Sequence, residues 1–80
     1  MNKLLAFING MAVAARANFC ARIGASEGYL RKAISVGHNL GAGLCVRIER
    51  ESSHEVTRRD LRPDDWQDIW PELTEQKEVA

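Results

Sequence analysis

A glycine followed two residues later by a helix-capping serine, Gly24-Ala25-Ser26, restricts the fold of this chain more than any other feature. Apolar residues recur at helical spacing on both sides of it. Upstream, Ala15, Phe19 and Ile23 fall at i, i+4 and i+8, with Cys20 beside the stripe and Arg16, Asn18 and Arg22 turned away. Downstream, Leu30, Ala33 and Ile34 form an inward face. Glu27, Gly28, Arg31, Lys32 and Ser35 form the outward one, with Tyr29 at the boundary. Glycine reaches the left-handed conformation that a sharp turn needs, and the Ser26 hydroxyl can accept from a first-turn N–H. The pattern predicts a helix over about 12–23, a tight turn, and a second helix over about 27–35. Two steeply crossing helices need a small residue at their closest approach, and Cys20 occupies that place.

The flanking segments read as further helices. Asn2 can cap a helix over about 3–9 whose face is Leu4, Leu5, Phe7 and Ile8, ended by Asn9-Gly10. After a turn at Val36-Gly37-His38-Asn39, a fourth helix covers about 42–51 with Leu44, Cys45 and Ile48 inward. Gly41 stands where a Ser or Thr cap is expected. Thr57-Arg58-Arg59-Asp60 resembles a capping box and starts a short helical turn through Leu61, stopped before Pro63. Trp66, Ile69, Trp70 and Leu73 share a face, but Pro71 limits that helix to one or two turns. No segment alternates apolar and polar residues. The expectation is a single all-α domain over 1–73, followed by a disordered acidic tail at 74–80.

Eighty residues bury only about 60–65% of their unfolded surface, too little to enclose a large catalytic cavity. No nucleophile–base pair, phosphate loop or Cys/His cluster at metal spacing is present, so neither an enzyme nor a cofactor is expected. Cys20 and Cys45 read as small buried hydrophobes rather than a disulfide, and His38 and His54 as surface residues. The apolar run at 4–8 is too short for a signal segment, and nothing approaches the roughly 20 apolar residues that span a bilayer. A soluble cytoplasmic, nucleoid-associated protein with no membrane partner is expected.

The net charge is zero, but its distribution is uneven. Residues 1–50 carry seven basic and two acidic side chains, a balance of +5; residues 51–80 carry four and nine, a balance of −5. A basic surface can therefore exist within a neutral chain. The helix at 27–35 lies in that basic half, and its polar face suits a DNA major groove. Arg31 and Lys32 can donate to guanine or phosphate, Glu27 can accept from cytosine, and Gly28 allows close approach. Tyr29 can meet a phosphate or a thymine methyl. Arg16 can anchor the backbone. Ser26 and Ser35 complete the candidate set of Arg16, Ser26, Glu27, Gly28, Tyr29, Arg31, Lys32 and Ser35.

Two stretches, Tyr29-Leu30-Arg31-Lys32-Ala33-Ile34-Ser35 and Val56-Thr57-Arg58-Arg59-Asp60-Leu61-Arg62-Pro63-Asp64-Asp65-Trp66, resemble the YdaS-type, Cro-like regulators of prophages. Ile69-Trp70-Pro71-Glu72-Leu73 resembles the same group, and the likeness spans about 3–73. It implies a five-helix, lambda-repressor-like bundle with a helix-turn-helix, and a repressor that binds double-stranded operator DNA; a homodimer is expected because one small module gives limited affinity. The chain departs from the pattern in having Cys20 where many such proteins have Ala, and in Gly41.

An alternative is an antitoxin-like or anti-repressor module that binds a protein partner through the acidic C-terminal part. Arg58, Arg59 and Arg62 could clamp phosphates, but Asp60, Asp64, Asp65 and Asp68 lie so near in sequence that ion pairing is the favoured expectation. Trp66 and Trp70 are expected to cover the bundle; a dimer seam is the other reading.

Overall fold

The computed structural model describes residues 2–73, and the tail expected to be disordered lies outside them. Among the described residues the regular elements are all helices, with no strand: α1 (Asn2–Asn9), α2 (Val13–Ile23), α3 (Glu27–Val36), α4 (Ala42–Glu51), α5 (Arg58–Leu61) and α6 (Trp66–Ile69). Among the described residues there are six helices where the resemblance implied five: the Trp66 stripe winds a turn of its own after Pro63 and stops short of Pro71, as its periodicity and that proline indicated.

The termini follow from local chemistry. Asn2 lies inside α1 rather than capping it. Gly24 and Gly37 end α2 and α3 in the left-handed region, at φ 74° and 71°. Ser26 caps α3 by accepting from the Tyr29 N–H at 3.1 Å. Gly41 gives α4 no side-chain cap, as anticipated. The Thr57–Asp60 capping box is fully formed: Thr57 N–H donates to Asp60 at 3.0 Å, and Asp60 N–H donates to Thr57 Oγ1 at 3.2 Å.

One core joins every element. Leu4 and Ile8 from α1 meet Phe19 and Ile23 from α2, Leu30 and Ala33 from α3, and Cys45 and Ile48 from α4. Leu40, Val56, Leu61, Trp70 and Leu73 close it from the loops and the C-terminal segment. Phe7 and Phe19 stack edge to face with centroids 5.2 Å apart, an arrangement the aromatic quadrupoles favour. α2 packs most extensively on α4. Arg47 reinforces that seam by donating from Nε to the Ile23 carbonyl at 2.8 Å, one of the carbonyls a helix end leaves without an intrahelical partner.

Ala15, expected inside, is exposed. Arg16, expected outside, is half-buried. Both follow from how α2 is rotated: Arg16, Phe19 and Ile23 lie on one side, and the long Arg16 stem covers apolar surface while its charged head finds polar partners. Trp70 is buried and Trp66 half-buried, so the tryptophans cover the bundle as expected.

Candidate functional site

The first turn of α3 sits at the meeting point of three helices, and Glu27 organises it. Arg16 of α2 donates from Nε to Glu27 Oε1 at 3.2 Å; Arg31, one turn along α3, donates from Nε to Oε2 at 2.7 Å. Arg16 also donates from Nη1 to the Met11 carbonyl at 3.2 Å, and Arg31 from Nη2 to Asn9 Oδ1 at 3.0 Å. A chain of contacts thus runs from the end of α1 through α3 to α2. The hydrogen bond from Arg31, more than any other influence, holds the Glu27 carboxyl below its ordinary value of 4.5, and the Arg16 charge adds to it. These side chains are partly exposed, so the network orients groups more than it stabilises the fold.

Seven of the eight expected site residues therefore divide into two groups, with Ser26 apart. Arg16, Glu27 and Arg31 are brought together and pair with one another, so both Glu27 oxygens already accept from guanidinium groups. Gly28, Tyr29, Lys32 and Ser35 are exposed on α3. Lys32 forms no ion pair among the described residues. Ser26 is exposed, but its hydroxyl is engaged as the α3 cap.

The α3 surface also has an apolar component that sequence reasoning missed. Tyr29, Lys32, Ala33, Val36 and His38 line a shallow depression of about 290 Å³, and Val36 is 66% exposed. The spacing of Tyr29, Lys32 and Val36 at i, i+3 and i+7 was the available signal. Asn9, read only as a helix end, was missed as well; nothing in a helix terminus announces an acceptor 22 residues from its donor.

The three C-terminal arginines are built into the fold, largely with partners other than the expected ones. Arg62 does pair with Asp65, and its Nη1 also donates to the Leu40 carbonyl at 2.6 Å. Its hydrogen bond holds Asp65 below the usual carboxylate value. Arg58 instead pairs with Glu49 of α4, its Nε 2.9 Å from Oε1. The approach angle there is poor for a hydrogen bond and Nε has no other acceptor, so charge attraction dominates. Glu49 Oε2 meanwhile accepts the Arg58 backbone N–H at 3.2 Å, and the guanidinium lies 5.3 Å from the Trp70 ring centre. Arg59 stacks on Trp66 at 4.4 Å and donates to the Leu73 carbonyl at 3.0 Å.

Among the described residues no group of three or more His, Cys, Asp or Glu is placed to hold a metal ion, and no helix is long and apolar enough to cross a membrane. Burial pushes the Cys45 thiol up to about 11 and raises Cys20 as well, where the nearby Glu27 charge contributes. Comparison with family models, with curated proteins and with solved structures gives no match to this chain.

Proposed function

We propose that this protein is a sequence-specific DNA-binding regulator, a Cro-like repressor of prophage type, with α2 and α3 as its helix-turn-helix and α3 as the reading helix. The observation that carries this reading is the uncovered face of α3. It presents Gly28, Tyr29, Lys32 and Ser35 outward behind a capped N-terminus, with Arg16 and Arg31 at its edge. A capped helix N-terminus adds positive potential where phosphates lie. A cation without an internal partner, such as Lys32, is available to donate to phosphate or base edges. One small module gives limited affinity, so a homodimer on two half-sites about 34 Å apart is the expected assembly.

Selection of bound duplexes from random DNA tests the reading. Enrichment of a defined, pseudo-palindromic sequence supports it, as does affinity that falls steeply with added salt through counterion release. No enrichment at modest salt overturns it.

A protein-interaction module is the second reading. Glu55, Asp64 and Asp68 are exposed and form no ion pair among the described residues, which suits a basic partner. Binding that needs these carboxylates and leaves α3 uninvolved would favour it.

A further inference from the structure

We infer that Asn9, at the end of α1, is a positioning residue that, together with Glu27, presents Arg31 to a guanine as a fixed two-pronged donor. The inference rests on the DNA-binding reading of α3 and assigns the division of labour within it.

A guanidinium has five N–H donors in one rigid plane. In Arg31, Nε is held by Glu27 at 2.7 Å and one Nη2 hydrogen by Asn9 at 3.0 Å. These anchors lie on different helices, α3 and α1, so the plane is fixed from two directions. Both Nη1 hydrogens and the second of Nη2 have no acceptor among the described residues. With Glu27 and Asn9 taking the Nε side of the guanidinium, the Nη1–Nη2 edge is left as the fork of this proposal; it matches two acceptors side by side, and in the major groove guanine offers such a pair in O6 and N7. Lys32 differs: it is exposed, has no hydrogen-bonded partner among the described residues, and ends in a freely rotating ammonium. Arg31 therefore distinguishes one base pair, and Lys32 contributes affinity with little sequence preference.

Asn9 contributes through the acceptor Oδ1 alone, and that separates a positioning role from direct contact with DNA. Asn9→Asp keeps the oxygen and loses the amide donor; Asn9→Ala loses both. Asn9→Ser, too short to reach Nη2, is measured alongside Asn9→Ala in case that variant loses its fold. Thermal unfolding of each variant checks the fold. The experiment selects bound duplexes from random DNA with the wild-type chain, then measures each variant on the selected duplex and on versions with each base pair changed in turn.

The expected result is a G·C pair whose preference is lost in Arg31→Ala and weakened about tenfold in Asn9→Ala and Asn9→Ser. Discrimination at all other positions, and the salt dependence, stay unchanged. Asn9→Asp keeps the G·C preference while its overall affinity falls evenly across sequences. Undiminished preference in Asn9→Ala and Asn9→Ser, with loss in Arg31→Ala, overturns the positioning role and leaves the DNA-binding reading intact. Loss of the preference in Asn9→Asp overturns it too, because the amide would then be the group that meets DNA. If the wild-type chain enriches no sequence, the DNA-binding reading fails and this inference falls with it.

Discussion

Gly28 stands in the first turn of α3 with open space around it; a Cβ added there meets nothing within 4 Å, and its backbone is helical. No internal contact requires a glycine. Gly28→Ala should raise stability by about 0.5–1 kcal/mol, since alanine loses less backbone entropy in a helix. If the α3 backbone closes on a DNA groove, the same methyl lowers duplex affinity. Urea unfolding and a binding titration on one variant thus separate folding from function. Unchanged affinity would place Gly28 away from the DNA. Glu27 gives a prediction about pH. Its carboxyl, like that of Asp65, lies below its ordinary value because guanidinium groups hold the charged form. As pH falls, the unfolded chain takes up these protons first. The stabilisation is therefore fully present above about pH 5 and is lost as pH drops through the depressed values. Urea unfolding between neutral pH and about pH 3 should show that loss, with a shallower slope in Glu27→Gln. The role of Ser26 was legible at this scale, because a cap acts on its own helix. The Arg31 half of the Glu27 pairing lies at a local i, i+4 spacing; the Arg16 half was not legible, because Arg16 lies 11 residues away on another helix.

The helices show why most boundaries could be read in advance. Gly24, Gly37, Ser26, Thr57 and Asp60 act within one turn, and α3, α4 and α5 lie within a residue of the positions those signals indicate. Ser26→Ala should cost about 1 kcal/mol by leaving the Tyr29 N–H without its acceptor, read as a lower urea midpoint with an unchanged slope. Gly24→Ala tests the turn. No atom lies within 4 Å of the added Cβ, so the cost of about 1–2 kcal/mol comes from the left-handed backbone alone. Rotation about a helix axis was harder to foresee. Ala15 and Arg16 exchanged their expected positions because a mixed stripe of small and long residues has no steep preference. The neighbours of α2 decided which side faced inward.

Across the whole molecule, the Arg58–Glu49 pair fastens the C-terminal segment to α4. Glu49 and Arg58 are mostly shielded from water, and Trp70 covers the guanidinium. Glu49→Ala leaves that cation with its main partner gone and the first N–H of α5 without its acceptor. The expected loss is about 3 kcal/mol, measured by urea unfolding followed through tryptophan fluorescence. Thiol labelling checks the packing around the same helix. Cys45 is fully buried and its thiol is pushed up to about 11, whereas Cys20 is partly exposed. One thiol should react in the native protein near pH 8, and both in denaturant. The sequence by itself determined an all-helical class, the ends of most helices and most of the core. Periodicity, caps and glycine turns operate over a few residues and are written in order along the chain. Tertiary structure alone decided where the charges without a partner on their own helix went: Arg16 to Glu27, Arg31 onward to Asn9, Arg58 to Glu49, Arg59 to Trp66. An exposed or half-buried charge can satisfy itself with any of several partners at similar cost. Only the packing of the helices brings one of them within reach.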